Sequence, residues 1–221
     1  MATATPAESP ETVLAGLARG ATKAVLATLR PPHAAPYASL VLTATALDGR
    51  PVLLLSRLAV HTRNIEADPR ASLLLDGTGG AREPLTGPRA TIEGRIEVSA
   101  DPALRSRFLR RYPDAAAYAG FADFAIYVLV PERAHLVAGF GRIVDLGPAQ
   151  IVRGDRLQAP DWAQEPDAAT QLSRDTGRQI AGLDPDGVDL IEADGLTRLT
   201  FDATAVSLAD AMARARAALQ R

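Results

Sequence analysis

Between Leu53 and Asp76 the chain reads LLLSRLAVHTRNIEADPRASLLLD. Two apolar runs flank a polar segment that carries Ser56, Arg57, His61, Thr62 and Arg63 at its start and Asp68-Pro69 at its end. The pattern predicts a strand, a short helix over about Val60 to Ala67, a proline stop and a second strand. A helix N-terminus presents unpaired backbone N–H groups and a partial positive charge, which suits a phosphate. The segment is therefore a candidate seat for a phosphorylated cofactor.

The rest of the chain keeps the same short rhythm. Ser9-Pro10 sets an N-cap with proline at the first helical position, and Gly20 ends the helix. Thr22 to Leu29 reads as a strand, the prolines at 31, 32 and 36 as an extended loop around His33, and Tyr37 to Leu47 as a second strand. Asp48-Gly49 is a hairpin signal leading to a strand from Pro51 to Ser56. Strands follow at Arg70 to Asp76 and Arg89 to Ser99, then a helix from Asp101-Pro102 broken at Tyr112-Pro113, and a second short helix up to Gly120. Phe124 to Val130 and His135 to Phe140 read as two strands separated by a turn at Pro131-Glu132. Antiparallel strands with turns at such short intervals suggest a small barrel with helices outside it.

Composition shifts near Gly147, and the prolines at 148, 160 and 166 mark a linker over residues 148–166. The expected organisation is a barrel over 1–147 and a small α+β domain over 167–221. In that domain Asp167 to Leu183 reads as a helix with Leu172, Ile180 and Leu183 on one face, and Asp184-Pro-Asp-Gly187 as a turn. Val188 to Ala193 and Leu196 to Phe201 form a hairpin around Asp194-Gly195, and Ser207 caps a last helix. Trp162 is placed as an anchor for the small domain.

Composition excludes several roles. With 221 residues, 47% of them hydrophobic, the chain has ample material for a core. A formal net charge of −2 argues against nucleic acid as the main partner. There is no Cys, so disulfides, thiolate metal sites and a Cys nucleophile are out. His33, His61 and His135 are the only histidines, too scattered to suggest a His-rich metal centre. No apolar run spans a bilayer and the start lacks a signal-peptide pattern, so a cytoplasmic protein without membrane contact is expected.

Four blocks carry a family resemblance: Pro36-Tyr-Ala-Ser-Leu-Val41, Ser56-Arg-Leu-Ala-Val-His-Thr-Arg-Asn64 with Asp68-Pro-Arg70, Pro88-Arg-Ala-Thr-Ile-Glu-Gly94, and Gly139-Phe-Gly-Arg142. The chain resembles the FMN-binding split barrels related to pyridoxamine 5′-phosphate oxidase, and more closely their HugZ-type haem-utilisation branch. The segments at 107–113 and 118–124 fit that branch, and the tail is similar to its small C-terminal domain. The fold class implied is α+β: a mostly antiparallel split β-barrel with outer helices, plus a small C-terminal α+β domain. The resemblance implies a homodimer holding flavin or haem near the subunit interface. Carried over by position, the cofactor-binding candidates are Ser39, Ser56, Arg57, His61 and Thr62, with Arg89 and Thr91 from a neighbouring strand and Arg142 as a haem-facing cation.

The chain departs from the oxidases where they place a Ser-Arg-Lys triplet near this helix start; here Ala59-Val60-His61 stands instead. It also lacks their Arg-Leu-His type C-terminal motif. Pyridoxamine phosphate oxidation is therefore not expected, and FMN-dependent redox chemistry on another substrate is the first expectation. The second is haem handling, with His61 as the candidate iron ligand; the HugZ-type axial His on a C-terminal extension has no counterpart after His135. A non-catalytic regulatory module is the third. His135, in an alternating strand, reads as a core or interface residue.

Overall fold

The protein is described by a computed structural model covering residues 8–79, 82–139, 141–157, 160–193 and 195–220. Helix α1 (Pro10–Gly20) opens with Ser9 accepting from the Thr12 N–H. Strands β1 (Lys23–Arg30), β2 (Ala35–Leu42), β3 (Ala44–Thr45) and β4 (Pro51–Ser56) follow, then α2 (Val60–Ala67), β5 (Arg70–Asp76) and β6 (Arg89–Ser99). Next come α3 (Pro102–Arg111), α4 (Ala116–Ala119), β7 (Phe124–Val137) and β8 (Ile143–Leu146). These eight strands form one curled antiparallel sheet in the order β2-β1-β5-β6-β7-β4-β3, with β8 added to β7. Its inner face is packed by Leu26, Leu53, Leu73, Ile92, Leu129 and Leu136, all fully buried. Alternation along each strand supplies that face, since every second side chain points inward. The curl brings β2 and β4 to either side of a seam, and α2 packs across β1 beside it.

After α5 (Pro148–Ile151) the chain forms α6 (Glu165–Thr176), β9 (Gln179–Asp184), β10 (Gly187–Glu192), β11 (Gly195–Thr200) and α7 (Leu208–Leu219). The three strands make a separate antiparallel sheet. It has its own apolar cluster, centred on Leu172, Leu183, Val188 and Leu190 and including Trp162. No helix among the described residues is long and apolar enough to cross a membrane.

Several expectations are corrected. The loop around His33 is a tight turn, and β2 already begins at Ala35, with Pro36 paired to Leu29. Proline is tolerated there because β2 is an edge strand with one side unpaired. The strand expected over Tyr37 to Leu47 breaks after Leu42 and resumes as β3. The two strands expected on either side of Pro131-Glu132 are one strand, β7, which pairs with β6 throughout and absorbs Pro131 at a bulge opposite Gly94. Phe140 lies outside the described residues, as does Asp194. The helix expected to run to Leu183 ends at Thr176, because Gly177 adopts φ +67° as a left-handed cap. Ile180 and Leu183 then belong to β9. Strand β8 is missing from the sequence-based expectation.

Gly94 is required by the bulge. A Cβ at this position would lie 2.0 Å from the Val130 carbonyl oxygen. Gly94→Ala is therefore expected to destabilise the protein by about 1–3 kcal/mol through forced displacement of β7, and the midpoint of urea unfolding measures it.

A buried ionic cluster joins the two sheets. Arg19 at the end of α1 meets Asp184 at 2.8 Å, and Arg198 on β11 meets the same carboxylate at 2.9 Å. Arg107 and Arg110 on α3 both bind Glu165, while Arg111 binds Asp189 at 2.8 Å. Arg111 also donates to the carbonyls of Arg19 and Ala21. Arg19 is 2% and Asp184 1% exposed, so these charges exchange water for one another.

Candidate functional site

The seam between β2 and β4 opens into a groove of about 310 Å³. Its walls include Leu40 and Leu42 on β2, Leu54 on β4, His61 at the start of α2, and Tyr118 and Phe124. The last two rings lean on each other with centroids 5.0 Å apart. The sequence fixes this locally: β4 ends at Ser56, the chain turns through Arg57 to Ala59, and α2 begins before it can leave the seam.

His61 and Ser39 are brought together, with Nδ1 of the imidazole 3.1 Å from the Ser39 hydroxyl oxygen. Burial lowers the His61 pKa below the ordinary imidazole value, so the ring is neutral at pH 7. A neutral imidazole held at Nδ1 keeps Nε2 for another partner. Ser39 reaches it because cross-strand pairing with Leu26 puts Ser39 on the inner face.

The other candidates are placed differently. Ser56 lines the groove but donates to the Asp123 carboxylate and accepts from the Leu58 N–H. Arg57 is exposed, and its guanidinium donates to the Ala122 carbonyl. Thr62 is fully buried behind His61, and its hydroxyl meets no partner. The neighbouring Asn64 donates to Thr28 Oγ1 at 3.0 Å and ties α2 to β1. Helix α2 opens at Ala59 without a side-chain cap.

Arg89 and Thr91 do not join this group. Ala90 and Ile92 between and beside them are buried, so Arg89 and Thr91 point to the outer face of the sheet. Strand β6 is also separated from β2 by β1 and β5. Arg89 donates to the Leu85 and Gly87 carbonyls. Arg142 donates to the Glu8 carbonyl at 2.9 Å. Gly139 and Gly141 serve the β7–β8 turn, both with positive φ. His135 is neither core nor isolated: it is exposed on the outer face and bonds Asp145 at 2.7 Å. The reason is register, since His135 pairs with Thr91 and Asp145 in an outward row.

Sequence reasoning missed Tyr118 and Phe124 as groove walls, and Asp123 as the partner of Ser56. Among the described residues no group of His, Asp and Glu could hold a metal ion by itself.

Comparisons with known proteins agree with this architecture. The Agrobacterium tumefaciens protein Atu2129, of unknown function, superposes with a TM-score of 0.77 at 28% identity, covering 98% of this chain and 99% of that one. A heme binding protein from Mycobacterium smegmatis superposes with a TM-score of 0.62 at 26% identity, covering 98% of each chain. The chloroplastic heme oxygenase HOZ of Arabidopsis thaliana is 36% identical over 109 residues, which is 47% of this chain and 32% of that protein. The chain thus spans about a third of the plant protein's length. Residues 10–138 match the pyridoxamine 5′-phosphate oxidase family, and with the curled sheet and seam described above this chain belongs to that family.

Proposed function

We propose that this protein binds haem in the seam groove, with His61 Nε2 as the iron ligand. The observation that carries the reading is a neutral imidazole, buttressed by Ser39, in a groove walled by leucines and two aromatic rings. These residues fit an iron macrocycle: the ring plane needs apolar walls and the iron needs an uncharged nitrogen. In the tautomer that ligation requires, Nδ1–H donates to Ser39 Oγ, as second-shell partners of ligating histidines do. The similarity to the mycobacterial heme binding protein over nearly the whole of both chains supports the reading. So does the plant oxygenase, over the third of its length that is matched. Bound haem supplies redox and dioxygen chemistry at its iron, and the chain supplies the ligand, the dry wall and the orientation. A groove of this size covers part of a macrocycle, and a second copy of the chain in a homodimer would cover the rest. Exposed Val25, Leu40, Leu42 and Leu74 provide an apolar outer face for such pairing.

The test is the visible spectrum of the purified protein before and after haemin addition. A sharp Soret band that stays with the protein through gel filtration is expected. Haemin that elutes separately overturns the proposal.

A second reading, FMN binding with redox chemistry, is favoured by the uncapped start of α2 and the unpartnered Thr62 hydroxyl beside it. Its phosphate would use the helix N-terminus, where Arg57 is the nearest candidate cation and is turned to a carbonyl. Thr62→Val separates the readings. Removing a buried hydroxyl that has no partner is expected to stabilise the protein by about 1 kcal/mol. Haem affinity should not change, whereas FMN retention should fall if that hydroxyl serves the phosphate. Thermal melts and a flavin fluorescence titration measure the two effects.

A further inference from the structure

Among the described residues, the polar side chains that line the seam groove are Ser56, His61 and Tyr118. Ser56 is engaged twice, donating to the Asp123 carboxylate and accepting from the Leu58 N–H. His61 is fastened to the β2 wall through Nδ1 and Ser39, which leaves Nε2 open. Tyr118, on α4, belongs to the other wall. Its ring leans on Phe124, the first residue of β7, and Phe124 pairs with Ser56 at the end of β4. The Tyr118 hydroxyl has no partner among the described residues, and unlike that of Thr62 it is not sealed from solvent. Two polar groups with an open valence therefore face the seam, one from each wall.

The rest of the side-chain lining is apolar, so neither group has a competing partner nearby. An iron held by one imidazole keeps its second axial position on the opposite face of the macrocycle. With His61 on the β2 side, the opposite wall is the one that carries Tyr118. Hydrogen-bond donors on that side decide which small molecules the iron takes.

We propose, resting on the haem reading above, that the Tyr118 hydroxyl is the hydrogen-bond donor for a small anionic ligand in the second axial position. A phenol O–H favours a bound atom that carries negative charge and a lone pair, as in fluoride or azide. It gives nothing to iron-bound imidazole, whose outward nitrogen is itself a donor. Phe124 fixes the ring, so the donor is oriented before the ligand arrives. Tyr118 is thus a specificity-determining residue of the groove.

The test uses the full-length protein loaded with haemin, as parent and as Tyr118→Phe. The variant loses one oxygen and keeps its ring on Phe124. Each is titrated with fluoride, azide and imidazole, and the change in the Soret band reads binding. Fluoride affinity is expected to fall about tenfold or more in Tyr118→Phe. Azide should weaken in the same direction, while haemin retention and imidazole affinity stay unchanged. The visible bands of the fluoride complex should also move, which a purely structural tyrosine would not cause. Equal fluoride and azide affinities in parent and variant overturn the proposal. Equal weakening of all three ligands overturns it by making Tyr118 a packing residue. Loss of haemin from the variant overturns it by making the tyrosine an iron ligand or a wall of the macrocycle. Failure of the parent itself to retain haemin is a failure of the haem reading, seen before any variant is compared, and it takes this proposal with it.

Discussion

Asp184→Ala is expected to cost on the order of 3–5 kcal/mol of stability, enough to unfold a marginal protein. The carboxylate is buried among three guanidinium groups, Arg19, Arg198 and Arg107, with Arg198 bound through both its terminal nitrogens. Deleting it leaves those cations buried without their counter-charge, which is the costly half of a broken ion pair. Asp184→Asn keeps the shape and should still be strongly destabilised, since the amide cannot neutralise them. Urea unfolding of the parent and both variants measures the effect. Loss of less than about 1 kcal/mol would place the cluster with weak surface pairs and remove it as the bond between the sheets.

The same carboxyl sets a pH dependence. Burial alone would push its pKa up, but the Arg19, Arg198 and Arg107 charges overcome burial and hold it well below the usual carboxylate range. A group whose folded pKa is depressed contributes stability above its unfolded pKa, near 4, and loses that contribution as the pH falls below it. Stability is therefore expected to decline on the acid side from about pH 4 downward. Asp184→Asn should flatten that decline, which unfolding midpoints across an acid series will show.

His61→Ala is the second large effect. If His61 is the iron ligand, haemin affinity should fall on the order of 100-fold or more and the Soret band should broaden toward that of free haemin. Second-shell partners of metal ligands typically carry 10- to 100-fold in affinity, so Ser39→Ala should lie between parent and His61→Ala. Both positions are only partly buried, and neither variant is expected to unfold the protein. The pH direction follows from burial. The imidazole pKa is lowered, so the neutral ligating form persists at pH 7, and acid protonates it and competes with iron. Affinity should thus decline as the pH falls below the ordinary imidazole range. Unchanged haemin affinity in a folded His61→Ala protein would remove the seam site as assigned. His135, already bonded to Asp145 on the outer face, would then be the next imidazole to test.

Where local chemistry decides, the sequence was sufficient. Strands β4, β5 and β6 and helix α2 coincide with the boundaries read from apolar alternation, Asp68-Pro69 and the helix-start pattern, because these signals act within a few residues. The Ser9 and Ser207 caps were legible for the same reason. The blocks at 36–41, 56–64 with 68–70, 88–94 and 139–142 together carried the resemblance to split barrels. Pro131 misled because a proline reads as a turn unless a facing glycine makes room for a bulge, and Gly94 lies in another strand. The run through Gly177 misled because leucines spaced for a helix also alternate once a left-handed cap starts a strand.

The candidate site divides along the same line. Helix α2 and the His61 position were readable, being set by their own segment. The pairing of Ser39 with His61 was not, nor was the separation of Arg89 and Thr91 from them by β1 and β5, since both depend on how the sheet curls and which strands intervene. The ionic cluster lay hidden in a chain rich in arginine: nothing local distinguishes Arg19, Arg107 and Arg198 from surface arginines. Sequence alone determined β4, β5, β6 and α2, the family resemblance and the helix start that carries His61. Only the tertiary structure decided which charges lose water together and which side chains share a groove, because burial and long-range pairing belong to the packed chain and to no segment of it.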